Sequence, residues 1–413
     1  MRHVVLGTLL VGIGSGVIGT FAFLRKRALV GDAVAHSVLP GICLAFLLHG
    51  SRDLLVLLPG AFATGWLSLI VIDQIDRHSR IKTDAAIGLV LSVFFGIGVL
   101  LLTTIQKSGN AQQAGLDHFL FGKAAAIVYN DVLLFAVVTF LLVGLVILFY
   151  KEFQLISFDP DFARSSGIPV RALELLLATL TVLAVVTGIQ AVGVVLMAAL
   201  LITPAAAARY WSDKLYVIIL LAAAFSALAA IFGSWVSYEN ARMPTGPWII
   251  VALSILAFAS MLLAPQRGFL GRALLLRGHR KKVNEENILK ELYHASTRDA
   301  LSDGLTPEGL MERRAFHPNT LRNSLQRLKR KGLIRKNQQA WSLTSKGEAA
   351  GTRLARIHRL WELYLTEYLR IAPDHVHDDA EAVEHMITPE IEEELEKVLG
   401  YPDRDPHGKS IPR

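Results

Sequence analysis

Cysteine is almost absent: one residue, Cys43, in 413. A lone thiol inside an apolar run excludes an intrachain disulfide and every Cys-based zinc motif. Charge is equally scarce up to about Pro265 and dense beyond it, so the chain divides into an apolar body and a charged tail. There is no P-loop: Asp117 stands where the first glycine is needed, and Gly122-Lys123 runs on into Ala124, so the chain is not expected to hydrolyse ATP. A cleavable leader is not expected either, because apolar sequence from Val4 to Leu24 ends in Arg25-Lys26-Arg27, placing positive charge after the span.

What is abundant is hydrophobicity, 53% of residues, with a mean hydropathy of +0.44. That is too apolar for an ordinary soluble protein. A bilayer core takes about 20 apolar residues per helix. Candidate spans lie near 4–24, 28–49, 54–72, 85–105, 131–150, 172–189, 190–208, 215–235 and 247–264, with 172–208 readable as one broken pair. Eight or nine transmembrane helices are therefore expected. Arg25, Lys26 and Arg27 follow the first span; Arg77, Arg80 and Lys82 the third; Lys151, Arg164 and Arg171 the fifth. Arg209 and Lys214 follow the seventh and Arg267 and Arg272 the ninth, whereas the opposite loops hold only Arg52, Lys107, Lys123 and Arg242. The positive-inside rule then puts the N-terminus outside and the tail in the cytoplasm. The net charge of +7 reflects those loops and the tail rather than a uniformly basic surface.

Within the body, Gly14, Gly16 and Gly19 make a formal GxGxxG. It sits inside a span with no preceding strand, so close helix packing is the expected role. The second span reads GDAVAHSVLPGICLAFLL. Asp32 and His36 are four residues apart and share a helix face. Intramembrane ionisable residues commonly face an interior or a path, and a carboxylate with an imidazole can bind a divalent transition ion in passing. An Asp–His pair that only packs helices remains the alternative. Pro40-Gly41 loosens backbone bonding there, as in discontinuous transport helices. Asp117 and His118 form a second pair, read as solvated near an outer loop.

From Gln266 to Val283 runs a basic linker, QRGFLGRALLLRGHRKKV, readable as a membrane-surface anchor or as a flexible hinge. Beyond it, residues 284–350 give helix, turn, helix and a short two-stranded wing. The second helix opens at Pro318-Asn319, with Leu321, Leu325 and Leu328 on one face and Arg322, Asn323, Gln326, Arg327, Lys329 and Arg330 on the other. Arg and Asn suit base edges and Lys suits phosphates, so this face is a candidate DNA-binding surface. Residues 351–413 hold the densest ligand set: His377, Glu381, Glu384 and His385 within one arc of a helix, and His358 with Glu362 at i, i+4. Imidazole with carboxylate and no thiolate suits Mn²⁺ or Fe²⁺, with Zn²⁺ also compatible. A solvated acidic helix is the alternative.

Residues 1–265 resemble the permease subunits of ABC importers for manganese, zinc and iron. The resemblance is carried in order by GDAVAHSVLPGICLAFLL, FLFGK at 119–123, FDPDFARSSGIPV at 158–170, GVVLMAALLITPAAAARYW at 193–211 and MPTGPWIIV at 243–251. It implies an all-α polytopic membrane domain that works with a second permease copy or a paralogous permease. A separate ATP-binding cassette subunit and an extracytoplasmic metal-binding protein would be its partners, in a bacterial plasma (inner) membrane. It also implies that Asp32 and His36 line the metal path. The segment 158–170 would be the helix docking the ATPase, through Phe158, Asp159, Pro160, Phe162, Ala163 and Gly167. Residues 284–413 look like the diphtheria-toxin-repressor family of metal-dependent regulators, with the match strongest from His358 to Pro412. On that resemblance Glu384 and His385 fall at primary metal ligands and Glu381 at a position that varies with the branch. His358, Glu362 and His377 match ancillary ligands, and Asn323 matches a base-reading position. Two positions depart: the first-helix ligand appears as Asn287, and a carboxylate of the manganese branch as Lys290. The expectation is an importer permease, itself no enzyme, carrying a metal-responsive, DNA-binding winged-helix domain and a helical metal-binding and dimerisation domain. The competing expectation is a tail that gates transport without touching DNA.

Overall fold

The structure, a computed structural model, describes residues 2–25, 27, 29–50, 54–107, 122, 127–239, 244–265, 267–298, 304–372, 376, 381 and 383–412. Asp117, His118, Lys123 and His377 lie outside the described residues, as do Lys26, Arg52, Arg242 and Gln266. The chain forms two units, Met1–Arg272 and Ala273–Arg413, each taken by itself below.

Among the described residues of the first unit eight helices are long and apolar enough to cross a membrane. They are α1 (Arg2–Leu24), α2 (Val30–His49), α3 (Leu54–His78), α4 (Thr83–Lys107), α5 (Tyr129–Leu148), α8 (Val170–Val192), α10 (Leu215–Glu239) and α11 (Thr245–Leu263). Between α5 and α8 come two shorter helices, α6 (Tyr150–Phe158) and α7 (Pro160–Ser165). The expected pair over 172–208 is indeed broken: α8 ends at Val192, and α9 (Val194–Arg209) adds 16 residues. At about 1.5 Å per residue α9 reaches roughly 24 Å, short of the ~30 Å hydrocarbon core. The break is glycine-dependent, since Gly193 has φ +85° and ψ 166°, a conformation open essentially to glycine alone. The discontinuity expected at Pro40-Gly41 is thus found at Gly193 instead; α2 runs unbroken through Pro40. Gly41 serves contact, because a Cβ there would meet the Gly60 carbonyl oxygen of α3 at 2.0 Å.

The glycines of α1 have the packing role their location implies. A Cβ on Gly16 would sit 2.9 Å from the Ala222 carbonyl oxygen, and one on Gly19 would sit 1.8 Å from that of Leu201. Backbones of α1, α9 and α10 therefore touch, and α1 is buried over Gly14–Phe21. In lipid such contact takes the place of the hydrophobic drive. Gly19→Val is expected to cost at least the ~1–3 kcal/mol of overpacking, because the obstacle is backbone rather than a movable side chain. A fall in the midpoint of detergent-solubilised unfolding, absent in Gly144→Val where a Cβ meets nothing within 4 Å, is the measurement.

The second unit contains most of α12 (Phe269–Arg298), then α13 (Pro307–Arg313), α14 (Pro318–Arg330), β1 (Ile334–Asn337), β2 (Ala340–Leu343), α15 (Ser345–Glu367), a 3₁₀ turn at Glu384–Met386 and α16 (Pro389–Val398). The basic linker is helical from Phe269 onward, continuous with the helix that runs on through residues 284–298. Its Leu, Ala, Arg and Lys residues are strong helix formers with no proline among them. A flexible hinge is not what 269–283 forms, and the helix exposes Phe269, Leu274 and Leu275 beside Arg272 and Arg277. Side chains of Thr306, Thr344 and Thr388 cap α13, α15 and α16. The core joins Ile288, Leu292, Leu310, Leu321, Leu325, Leu328 and Trp341, so the apolar face of α14 packs inward and its polar face turns out. β1 and β2 pair antiparallel, Ile334 opposite Leu343 and Asn337 opposite Ala340, forming the wing.

Candidate metal and nucleic-acid sites

On α2 the Asp32 Oδ1 and His36 Nε2 atoms lie 3.5 Å apart, with side chains 36% and 20% exposed. His36 Nδ1 is buried without a hydrogen-bond partner, and its ring meets Phe95 edge-on at 5.0 Å between centroids. A first-row ion about 2.1 Å from both donors would see them roughly 110° apart, an angle suited to tetrahedral coordination. Two protein ligands and a half-open site favour transient binding over storage. Elsewhere in this unit a cavity of about 310 Å³ is lined by Arg25, Asp73, Arg77, Arg171 and Glu174, and does not include Asp32 or His36.

Sequence reasoning passed over one buried polar pair beside the Gly193 break. Gln190 Nε2 donates to Asp131 Oδ1 at 3.1 Å, while Asp131 Oδ2 accepts from the Val128 amide. Gln190 Oε1 has no hydrogen-bond partner. The available signal was an ionisable residue at the head of an apolar run.

At the α6–α7 corner, Asp159 Oδ1 accepts from the Phe162 amide at 2.9 Å, and Pro160 occupies the first turn. Ala163 is fully buried, Gly167 ends the turn at φ +78°, and Phe158 and Phe162 are 54% and 56% exposed. The corner thus presents two exposed aromatics on a capped turn.

On α14 Arg322, Asn323, Gln326 and Lys329 are exposed. Arg327 is not free: its Nε donates to Glu285 Oε1 at 2.6 Å, and Lys331 Nζ donates to Glu285 Oε2 at 2.5 Å. Burial works against ionised Glu285, but the two cations outweigh it and hold the carboxyl below its ordinary range. Arg327 thus ties α14 to α12, whereas among the described residues its exposed neighbours on the same face carry no such tie.

Of the expected ligands in the tail, Glu384 and His385 stand in a 3₁₀ turn, Glu384–Met386, about 120° apart around its axis. Glu381 is drawn away into an ion pair with Arg314. His358 and Glu362 do meet as expected, Nε2 to Oε1 at 3.1 Å. Among the described residues no three His, Cys, Asp or Glu side chains converge as a ready-made metal cage. One side of the cluster is closed by Lys290, whose Nζ donates to Glu384 Oε1 at 3.0 Å and Oε2 at 2.9 Å and lies 3.2 Å from His358 Nδ1. His358 Nδ1 is 2.5 Å from Glu384 Oε2. Burial opposes a charged His358, yet its bonds to Glu362 and Glu384 raise its pKa above the usual imidazole value. Burial likewise opposes ionised Glu384, but His358 and Lys290 hold it below the carboxylate range.

The other side is different. His385 Nδ1 is paired with Glu286 Oε2 at 2.8 Å, which turns Nε2 inward, 3.6 Å from Glu384 Oε1. His385 Nε2 and Asn287 Oδ1 are both buried and both lack a hydrogen-bond partner. Orphaned buried acceptors are costly and rare. His385 Nε2, 3.6 Å from Glu384 Oε1, is thus an open imidazole donor of the kind a divalent ion takes, whereas the Lys290 side is already filled by an ammonium.

Residues 1–264 match the family described as the ABC 3 transport family. The chain belongs to the ABC 3 transport family. Residues 344–413 of this ABC 3 permease further match the iron dependent repressor, metal binding and dimerisation domain. It is 43% identical to the manganese transport system membrane protein MntC of Bacillus subtilis over 372 residues, covering 90% of this chain and 85% of that protein. It is 47% identical to the zinc transport system membrane protein TroC of Treponema pallidum, covering 65% of this chain and 91% of that protein. Among solved structures it resembles PsaBC from Streptococcus pneumoniae in complex with Fab, 33% identical with a TM-score of 0.59, over 67% of this chain and 94% of that one. The ABC 3 permease is a multi-pass membrane protein joined to a repressor-type domain.

Proposed function

We propose that the chain is the permease of an importer for a divalent transition ion, Mn²⁺, Fe²⁺ or Zn²⁺, with Asp32 and His36 as transient ligands on the path. The observation that carries this is the 3.5 Å Asp32–His36 pair in a family whose relatives bear manganese and zinc transport names. A separate ATP-binding cassette subunit docks at Phe158 and Phe162, an extracytoplasmic binding protein delivers the ion, and a second permease copy or a paralogue completes the pore. Charge asymmetry supports an outside N-terminus and a cytoplasmic tail. That orientation needs an odd number of crossings, so α9, seventh in chain order and shorter than the other spans, would have to complete the membrane passage to bring the total to nine.

The tail is a DNA-binding regulator that senses the same class of ion through Glu384 and His385, with Glu381, His358, Glu362 and His377 as the further ligands that the family resemblance implies. Its exposed Arg322, Asn323, Gln326 and Lys329 face outward as a reading surface. With DNA from its own locus, Mn²⁺ is expected to tighten binding by the full-length protein. Asn323→Ala should cut discrimination at one base position by about 1–3 kcal/mol, and Lys329→Ala should reduce the salt slope by about one without changing preference. The gating alternative predicts no DNA binding and, on truncation after Pro265, uptake that high internal metal no longer inhibits. Unchanged inhibition with derepressed genes favours the regulator.

A further inference from the structure

Buried cations other than metal ions are uncommon, and Lys290 is one: its side chain is 7% exposed and that of Glu384 is fully buried. The ammonium donates to both Glu384 oxygens, at 3.0 and 2.9 Å, and approaches His358 Nδ1 at 3.2 Å. Those three atoms are the donors a divalent ion would take on that side of the cluster. We propose that Lys290 is a built-in cation replacing one metal ion of the cluster, so that the tail binds a single regulatory ion, on the His385–Asn287 side, and binds it weakly.

Three observations support this. Glu384 and His358 meet directly at 2.5 Å and a positive charge that cannot leave stands against both, so an ion entering there would have to displace an ammonium bonded to both carboxylate oxygens. By contrast, the unpartnered buried atoms all lie elsewhere: His385 Nε2 and Asn287 Oδ1 point to a ligand, while Lys290 already satisfies Glu384. Finally, Glu384 is shared, its Oε1 accepting from Lys290 and facing His385 Nε2 at 3.6 Å. A carboxylate already neutralised by a neighbouring cation attracts a divalent ion less strongly. The regulatory ion is then held with fewer anionic donors, and the response threshold rises.

The location has a consequence. Lys290 and Glu285 sit on α12, and Glu285 holds Arg327 and Lys331, on α14 and at its C-terminal end. The built-in charge keeps one side of α12 fixed to the Glu384 turn whether or not metal is present. Only the His385 side is left to respond.

The inference rests on the sensor reading for its single remaining ion, and the experiment separates the two. Full-length protein in detergent, in an Asp32→Ala background, is dialysed against Mn²⁺, and bound manganese per chain is counted for the parent, His385→Ala and Lys290→Glu. The parent is expected to exceed His385→Ala by one ion, and Lys290→Glu to exceed the parent by one, with binding at least tenfold tighter. A parent holding two ions that both disappear in His385→Ala, or Lys290→Glu holding no more than the parent, overturns the proposal. No difference between parent and His385→Ala removes the sensor reading, while a gain in Lys290→Glu still upholds Lys290 as the substituted cation. If Lys290→Glu does not fold, crystals of the parent grown with Mn²⁺ decide it: anomalous density between Glu384 and His358 refutes the built-in cation, and density confined to the His385 side supports it.

Discussion

Asp32→Ala combined with His36→Ala is expected to lower manganese uptake by about 100-fold or more in cells that depend on this permease. The pair lies in α2, within an apolar body where charge is sparse, and its donors are 3.5 Å apart. A ligand-ion contact in such a medium is worth several kcal/mol, and about 1.4 kcal/mol is a factor of ten. Asp32→Asn keeps the shape and removes the charge, so it should fall nearly as far as Asp32→Ala, which separates an electrostatic role from a packing role. His49→Ala, at the exposed end of the same helix, should leave uptake unchanged. Radiolabelled manganese uptake at equal membrane expression is the measurement. Near-normal rates in both Asp32 variants would return the pair to helix packing.

The second large effect concerns stability of the tail. Lys290→Met removes one partner of an ion pair whose other member, Glu384, is fully buried. Breaking such a pair typically costs about 3–5 kcal/mol, because the remaining charge is stranded. His358, next to Glu384 at 2.5 Å, offsets part of that loss. The double variant Lys290→Met/Glu384→Gln removes both charges and should recover much of the stability. Proteolysis of the C-terminal unit in the full-length protein, followed against temperature, measures both. A Lys290→Met tail as resistant as the parent would mean that the pair contributes nothing to the fold.

Much of this was readable in the sequence where local rules decide. Apolar runs of about 20 residues gave eight long helices within a few residues. The alternation of Leu321, Leu325 and Leu328 with polar residues foretold which face of α14 is buried. Asp32 and His36 meet because four residues make about one turn. Long-range pairing was not readable. Lys290 stood out as a departure, but its partner lies 94 residues away, and nothing local links them. Arg327 looked like its exposed neighbours until Glu285 of another helix claimed it. The arc drawn through Glu381, Glu384 and His385 assumed 3.6 residues per turn, and the 3₁₀ turn at Glu384 breaks that assumption. The broken pair over 172–208 was readable but its location was not: Gly193 carried no local mark separating it from the packing glycines of α1, and its φ of +85° places the break.

The most direct measurement is reconstituted transport. The full-length chain would be placed in proteoliposomes with an ATP-binding cassette subunit and a metal-loaded extracytoplasmic binding protein from the same locus. The account predicts saturable, ATP-dependent accumulation of manganese that stops when any component is left out and in the Asp32→Ala/His36→Ala variant. Accumulation without the ATPase, or ATP-driven transport that is indifferent to Asp32 and His36, would contradict it.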